Sequence, residues 1–248
     1  MKNRNAFESS NHTFSMDNDI SLDEDLAEFV GAFIGDGCLS EYHANDRKSK
    51  RRMLYFSGNW KNDKEYHEKR ILPIINKNSN LNVKVRRRKC KTALQFSTCN
   101  NNIINFLLSL GFSFGEKHKT VKIPEMFIGN DNIIKACIRG VFNTDGSVYR
   151  RYSKIYKKYG FGKNTLNYAI VQIKSNSSGL LNQIKSEMER MGYTTNRIVG
   201  DGKTSNVFRI TKQSDIKRFF TEISTTHPYH INRYKNIKHN KPIGIMGS

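Results

Sequence analysis

The hydrophobic pattern predicts one order of elements that occurs twice along the chain. Apolar residues between Leu22 and Ile34 recur at helical spacing, and the helix that they predict ends at Asp36. Alternating apolar and polar positions follow, with Leu54 and Phe56 on one face, and they predict half-buried strands. Each unit is therefore expected to contain, in order, a helix, two strands, a helix, two strands and a helix.

An internal repeat supports this order. Residues 29–37 (FVGAFIGDG) align with residues 138–146 (IRGVFNTDG) at an offset of 109, so an Asp-Gly step ends a helix in both copies. Asn59 aligns with Asn176 at an offset of 117, and drifts of this size are what loop insertions produce. The sequence thus predicts an α+β fold in which two pseudo-two-fold-related αββαββα units each carry a four-stranded antiparallel sheet.

Composition and the repeat together divide the chain into four segments. Residues 1–20 are polar and aperiodic, which predicts a flexible N-terminal arm. The first unit is expected to span residues 21–124 and the second residues 125–240, and residues 241–248 are expected to form a C-terminal tail.

Net charge narrows the class of partner. The chain has 248 residues, with 42 Lys and Arg against 22 Asp and Glu, so its formal net charge is +20 at pH 7. Such an excess predicts binding to a polyanion, above all a nucleic acid. No uncharged run is long enough to span a membrane, and no secretory signal is recognisable. We therefore expect no membrane partner and an intracellular location, either the cytoplasm or nucleoid of a prokaryote or an organelle matrix.

The repeated helix ends are the best candidate for a chemical site. Small residues lie four positions apart on one face of each helix, namely Gly31 and Gly35 in the first copy and Gly140 and Thr144 in the second. They allow two helix backbones to approach closely, and side-by-side packing would bring Asp36 and Asp145 together. Two carboxylates at two helix C-termini form a negative site that needs hard divalent cations, especially Mg²⁺, before it can meet phosphate.

The two repeated segments, residues 29–37 and 138–146, resemble the paired LAGLIDADG motifs of homing endonucleases. The resemblance is specifically to the single-chain, double-motif monomers that introns encode. The resemblance covers roughly residues 21–240. It implies that the two motif helices pack against each other between the units. It also implies that Asp36 and Asp145 bind metal ions, with Gly35 and Thr144 in the same site, and that two or three Mg²⁺ ions lie between the active sites.

The resemblance also implies a polar residue near the catalytic water at the end of the second strand of each unit. Relatives often have Gln there, and the matching residues in this chain are Asn59 and Asn176. Helix capping is an equal alternative for both. Asn59 lies at a strand-to-helix transition, and Asn62 or Asp63 is expected to cap the helix that follows.

A basic residue follows the last helix of each unit in many relatives, where it would stabilise charge on the phosphate or orient water. The candidates are Lys119 or Lys122 in the first unit and Arg233 or Lys235 in the second. We prefer Lys122 and Lys235 as catalytic residues, with a nonspecific phosphate contact as an equal alternative.

Strand alternation places polar and basic side chains on the sheet faces that point away from the core. Arg, Lys and Gln on a twisted antiparallel sheet suit the major groove, where Arg pairs with guanine and Gln with adenine. The predicted base contacts are Lys84, Arg86, Arg88 and Gln95 in the first sheet and Gln172, Lys174, Arg197 and Arg209 in the second. The first hairpin of each unit is expected to contact DNA, mainly at phosphate, through Arg51, Arg52, Arg150, Tyr152 and Lys154.

Taken together, these features predict a site-specific endonuclease of double-stranded DNA that acts as a monomer. It would cut both strands by divalent-metal-assisted hydrolysis at a long, near-asymmetric target, because the two units differ. The family resemblance implies intron mobility, and it leaves open an RNA maturase that binds and folds its host group I intron. His227 and His230 have H-x-x-H spacing without a cysteine pair, so no zinc site is predicted there.

Overall fold

The computed structural model describes residues 22–43, 50–77, 82–89, 92–117, 119–151, 168–202 and 204–239. The expected N-terminal arm and C-terminal tail lie outside these residues. Within them, no helix combines the length and the apolar character needed to cross a membrane.

The first unit begins with the predicted helix and continues into a hairpin. These elements are α1 (Glu24–Asp36), β1 (Gly37–His43) and β2 (Lys50–Asn59). Helix α2 then runs through three consecutive segments, Lys64–Tyr66, the π-helical His67–Ile71 and Leu72–Lys77. The unit is completed by β3 (Arg86–Arg87), β4 (Ala93–Thr98) and α3 (Asn101–Ser109).

The second unit repeats this order after a short 3₁₀ turn at Glu125–Phe127. Its first half consists of α4 (Asp131–Asp145), β5 (Gly146–Arg150) and β6 (Ala169–Ser175). Its second half consists of α5 (Ser178–Arg190), β7 (Val199–Gly200), β8 (Asn206–Ile210) and α6 (Gln213–Arg218), which continues as the π-helical Phe219–Ile223. A further helix that the repeat does not predict, α7 (Pro228–His239), follows.

Each unit forms one four-stranded antiparallel sheet, as predicted. The strand orders are β1-β2-β4-β3 and β5-β6-β8-β7, so the two sheets have the same topology. One face of each sheet is buried in the core, through Leu54, Phe56, Leu94 and Phe96 in the first unit and Val171, Ile173, Phe208 and Ile210 in the second. The alternation of apolar and polar positions therefore identified the buried face of both sheets.

Helices α1 and α4 pack side by side between the two units, and their close approach depends on glycine. A Cβ atom on Gly31 would lie 2.0 Å from the carbonyl oxygen of Cys137. One on Gly140 would lie 2.1 Å from the carbonyl oxygen of Glu28. Backbone atoms cannot move aside as a flexible side chain can, so these two positions require glycine. The predicted packing of the two repeated helices is confirmed.

A buried carboxylate holds this helix pair in register. The side chain of Glu28 is fully buried, and it forms ion pairs of 2.9 Å with Arg139 of α4 and Arg70 of α2. It also accepts hydrogen bonds from Tyr66, Asn143 and Thr226. Removing one partner from a buried charge is strongly destabilising, so the network favours a single arrangement of the two units.

Candidate active site and nucleic-acid interface

The aspartates that end α1 and α4 lie close together. Gly35 and Thr144 face each other across the helix pair, because a Cβ atom on Gly35 would lie 2.0 Å from Oγ1 of Thr144. The same Cβ atom would lie 3.4 Å from the carboxyl carbon of Asp145. Asp36 directly follows Gly35 in α1. The structure thus brings the four predicted metal-binding residues into one place, and their binding of metal stays a prediction.

A half-buried lysine caps the C-terminus of α1 at this site. Nζ of Lys117 donates hydrogen bonds to the carbonyl oxygens of Phe33, of Ile34 at 2.8 Å and of Gly35 at 3.4 Å. The same atom lies 4.5 Å from the centre of the Phe33 ring. A cation in this position complements the negative end of the helix dipole and the neighbouring carboxylates.

The basic residue that the fold brings to the first site is therefore Lys117, and a catalytic role for Lys122 stays a prediction. Lys119 and Lys122 are exposed, and the aliphatic chain of Lys122 lies beside Gly179. The loop after α3 reaches the C-terminus of α1 at Lys117. This is several residues before the positions near Pro124 that the comparison with the family motif indicated. Nothing in the sequence distinguishes Lys117 from its two neighbouring lysines, because only the fold buries it.

The second unit has a histidine in the equivalent place. The 109-residue offset relates Phe33 to Phe142, and the ring of His230 lies 4.8 Å from the ring of Phe142. His230 also hydrogen bonds to the backbone of Asn143, and burial lowers the pKa of His230 to about 3. Lys235, the predicted basic residue of this unit, is exposed on α7, and its catalytic role stays a prediction. The two motif helices therefore end against different groups, one cationic and one neutral.

Burial and like charge make Asp36 a weak acid in the metal-free protein. Burial raises the pKa of Asp36 most, and the charges of Asp145 and Asp63 raise it further, so that it reaches about 8 despite the opposing charge of Lys117. Burial lowers the pKa of Lys117 to about 8, against the attraction of Asp145 and Asp36. At neutral pH the site therefore holds a proton that a bound divalent cation would displace.

The raised pKa of Asp36 predicts a pH-dependent loss of stability without metal. An unfolded aspartate titrates near 3.8 and folded Asp36 near 8, so between these values the folded state holds the extra proton and its free energy of unfolding falls as pH rises. Asp36→Asn removes this effect. Urea unfolding in EDTA at about pH 5.5 and about pH 8.5 measures it. The free energy of unfolding of the variant minus that of the wild type should be larger at the higher pH by more than about 1 kcal/mol. An equal difference at both pH values would contradict the raised pKa.

Asn59 and Asn176 end the second strands of their units in different surroundings. Oδ1 of Asn59 accepts hydrogen bonds from the backbone N–H groups of Lys61 at 2.9 Å and Asn62 at 3.1 Å. Asn59 therefore holds the turn that leads into α2. Asn176 is exposed and directly precedes Ser177, whose hydroxyl caps α5. A role for either asparagine in positioning water stays a prediction.

Asp63 has a different role from the one that its position favours. The sequence favours Asp63 as a helix cap, but its side chain makes no capping hydrogen bond to α2. Instead its Oδ2 accepts the backbone N–H of Asn59 at 2.6 Å, and its Oδ1 lies 3.3 Å from Nε2 of His227 in the second unit. The H-x-x-H segment thus contributes to a contact between the units.

The carboxylates of the site fit a hard divalent cation. No group of three or more His, Cys, Asp and Glu side chains in the described part of the chain is arranged to hold a metal ion. Mg²⁺ does not require such a cage, because it usually keeps several waters and binds one or two carboxylates together with substrate phosphates. Asp36 and Asp145 supply two carboxylates of this kind at one place.

The outward face of the first sheet carries the predicted polar residues. Arg86 lies opposite Gln95 in the strand register, and the N–H of Arg88 donates to the carbonyl oxygen of Ala93. Val83 and Val85 pack against the core, which directs Lys84 to the same outward face. The sheet thus presents three cations and an amide side by side on the surface away from the core.

The outward face of the second sheet is partly engaged by its own side chains. Oε1 of Gln172 accepts hydrogen bonds from Tyr149 at 3.1 Å and from Arg209 at 3.4 Å. Lys174 forms an ion pair of 3.2 Å with Asp201. The fourth predicted base contact of this sheet, Arg197, is exposed. Base contacts by Gln172, Arg209 and Lys174 would therefore require these internal contacts to be exchanged for contacts with DNA.

Arg51 and Arg52 lie on opposite faces of β2. Arg52 lies on the same face as Leu54, where it forms an ion pair of 3.1 Å with Glu41. Arg51 lies on the outward face and is exposed. The two arginines lie on opposite faces because consecutive residues of a strand alternate between its faces, and a DNA contact of Arg52 stays a prediction.

Arg150 is also turned away from the outward face. It lies on the core side of β5 with Val148, and it donates a hydrogen bond of 3.4 Å to the carbonyl oxygen of Asn236 in α7. The predicted DNA contact of Arg150 stays a prediction, as does that of Arg52. Tyr152 and Lys154, the other predicted contacts in this hairpin, lie outside the described residues.

Comparisons with known proteins agree with this architecture. Residues 132–224 match the family model of the LAGLIDADG-like domain. Among solved structures, the chain is similar to the homing endonuclease I-DmoI in complex with DNA and Ca, with a TM-score of 0.59 and 15% identity over 87% of this chain and 98% of that one.

Two other solved structures share the fold. The LAGLIDADG homing endonuclease I-LtrWI bound to target DNA has a TM-score of 0.56 and 17% identity, over 87% of this chain and 89% of that one. A variant of I-SmaMI has a TM-score of 0.59 and 12% identity, over 88% and 90% respectively. A comparison with curated proteins gave no match.

Proposed function

We propose that this chain is a LAGLIDADG protein with two copies of the motif in one polypeptide, and that it is a site-specific endonuclease of double-stranded DNA; residues 132–224 match the family model and the chain shares the fold of a DNA-bound homing endonuclease. This proposal rests on one observation. Asp36 and Asp145 lie close together at the C-terminal ends of two helices whose close packing requires glycine. We also propose that the cation is Mg²⁺, with two or three ions per molecule, and that the chain acts as a monomer that promotes the mobility of its intron.

The proposed reaction is hydrolysis of a phosphodiester bond in each strand. Asp36 and Asp145 would hold the divalent cations, which would supply positive charge to stabilise the phosphate. Lys117 adds a positive charge beside these carboxylates, where it offsets negative charge that develops on the phosphate. Asn59 ends β2 on the same unit, and its amide is placed to orient a water or a phosphate oxygen.

The distribution of charge supports binding of DNA by the sheets. Several basic residues on the helices are paired with acidic neighbours, for example Lys69 with Glu65, Arg190 with Asp131 and Arg218 with Glu222. On the first sheet, Lys84, Arg86 and Arg88 form no ion pair with another described residue. The outward face of this sheet therefore carries three cations that are available to meet phosphate.

Arg51 and Arg52 offer a matched test of this interface. Each variant, Arg51→Gln and Arg52→Gln, removes one charge, but only Arg51 lies on the outward face. We expect Arg51→Gln to reduce the slope of log K against log salt concentration by about 0.9, because one phosphate contact is lost. Arg52→Gln should leave that slope unchanged. Fluorescence anisotropy with a labelled duplex over a salt series measures both, and equal effects of the two variants would contradict this assignment of faces.

Cleavage selection from a randomised duplex library tests the proposed activity. Incubation with Mg²⁺ should enrich one long, near-asymmetric sequence with a double-strand break at a fixed position, and EDTA should abolish the enrichment. A library that stays intact under both conditions would contradict the proposal. Binding of a structured group I intron RNA in that case would favour the maturase.

A further inference from the structure

A cross-unit contact anchors one side of the candidate active site. The carboxylate of Asp63 is one-quarter exposed, and both of its oxygens are engaged. Its Oδ2 accepts the N–H of Asn59 at 2.6 Å, and its Oδ1 lies 3.3 Å from Nε2 of His227. Since Asp63 belongs to the first unit and His227 to the second, the pair holds the turn between β2 and α2 against the opposite half of the molecule.

The position of the proton on His227 follows from its hydrogen bonds. Nδ1 of His227 accepts the backbone N–H of Tyr229 at 3.2 Å, so in the neutral ring the proton lies on Nε2, which is 3.3 Å from Oδ1 of Asp63 without the geometry of a hydrogen bond. The ring is 1% exposed and is stacked on Tyr66, with the ring centres 4.9 Å apart. His227 is therefore held in one orientation and one tautomer before any substrate binds.

Asp63 faces the same space as Asp36. Its charge contributes to the raised pKa of Asp36, alongside burial and Asp145. Asp63 also fixes the backbone of Asn59, whose Oδ1 is engaged by the turn residues Lys61 and Asn62. The amide nitrogen of Asn59 is thus the part of that side chain placed to donate to a water or a phosphate oxygen.

No such pair occurs among the described residues of the second unit. The offset that relates Asn59 to Asn176 places Leu180 at the position equivalent to Asp63. Leu180 is fully buried in the hydrophobic core. The hydroxyl of Ser177 caps α5 there and donates to the carbonyl oxygen of Val121 at 2.7 Å. The carboxylate–imidazole contact is therefore a feature of one site only.

We propose that Asp63 and His227 are positioning residues for the first active site alone. Because the described part of the second site lacks an equivalent pair, cleavage of the two DNA strands depends on different residues. The pair acts through Asn59 and the turn that carries it. The proposal rests on the endonuclease function proposed above. It predicts that loss of the pair slows one of the two cuts and causes nicked DNA to accumulate.

The test is strand-resolved cleavage of the selected duplex with a different label on each strand. We expect Asp63→Asn to slow cleavage of one strand by about 10- to 100-fold, because a small misplacement at a reacting centre has effects of this size. Cleavage of the other strand should change less than about twofold, and the Kd for the duplex in Ca²⁺ should stay the same. Asp215→Asn is the matched control, because Asp215 also accepts a backbone N–H, from Thr194 at 2.8 Å, but lies in α6.

Variants of His227 separate positioning from folding. His227→Gln retains a donor toward Asp63, so the ratio of the cleavage rates of the two strands should stay close to that of the wild type. His227→Ala should reproduce the nicking of Asp63→Asn. Equal slowing of both strands, or an unchanged strand ratio in the Asp63 and His227 variants, would overturn the proposal. If Asp36→Asn still cut the duplex, the endonuclease assignment itself would fail, and the two failures are therefore distinguishable.

Discussion

Replacing either Asp36 or Asp145 by asparagine is expected to lower the rate of double-strand cleavage by at least about a thousandfold, or about 4 kcal/mol of transition-state stabilisation. The change removes one negative charge and keeps the shape of the side chain. Binding of DNA should stay within about threefold of the wild type, because the phosphate contacts lie on the sheets. Asp36→Asn should even be the more stable protein without metal, since it removes a carboxyl whose pKa is about 8.

Conversion of a supercoiled plasmid that carries the selected target, followed with time in Mg²⁺, measures this effect. Asp131→Asn is the control, because Asp131 begins the same helix that Asp145 ends and forms an ion pair with Arg190 at the opposite end. The control should cut at the wild-type rate. Wild-type cleavage by both the Asp36 and the Asp145 variant would disprove the assignment of the site.

Substituting alanine for Gly140 is expected to reduce the free energy of unfolding by about 3 kcal/mol or more, which is at the upper end for adding a single methyl group. The new Cβ would lie 2.1 Å from the carbonyl oxygen of Glu28 and 2.6 Å from the backbone nitrogen of Ala32. Both are backbone atoms of α1, so the two helices must move apart. Separation of the helices would also displace Asp145 from Asp36, and cleavage should fall with stability.

Urea unfolding compares this variant with Gly200→Ala, which is matched in chemistry. A Cβ atom on Gly200, in β7, would meet no atom within 4 Å, so that variant should unfold with nearly the wild-type midpoint. Equal midpoints for Gly140→Ala and the wild type would mean that the helices do not pack as closely as the structure indicates.

The fold and the pair of aspartates were predictable because a repeat carries them. Two Asp-Gly steps at the ends of two similar helices, with small residues on the same faces, constrain both the packing and the placement of Asp36 and Asp145. Strand alternation is equally direct, because side chains in a strand point to opposite faces in turn. It identified the buried face of each sheet and the outward position of Gln95.

The remaining residues of the site depend on contacts between distant parts of the chain. Lys117 lies 81 residues after Asp36 in a loop with two other lysines, and only its burial against α1 distinguishes it. Asp63 stands where a helix cap is common, yet its partner His227 comes from the second unit. Local pattern holds no information on either contact.

The faces occupied by the hairpin arginines could not be predicted from the sequence for a more local reason. Arg51 and Arg52 are adjacent and chemically identical, and the face that each occupies depends on the register of β1 and β2. Charge alone favours both as contacts to phosphate. The pairing of Arg52 with Glu41 on the inner face separates them.

The central claim is that Asp36 and Asp145 jointly hold the divalent cations at the DNA. Anomalous scattering from a crystal of the protein with its selected duplex and Mn²⁺ tests it most directly. The account predicts manganese peaks within about 2–2.5 Å of carboxylate oxygens of both aspartates and of a DNA phosphate. Manganese bound elsewhere, or DNA cleaved in the crystal with no manganese at these two residues, would contradict it.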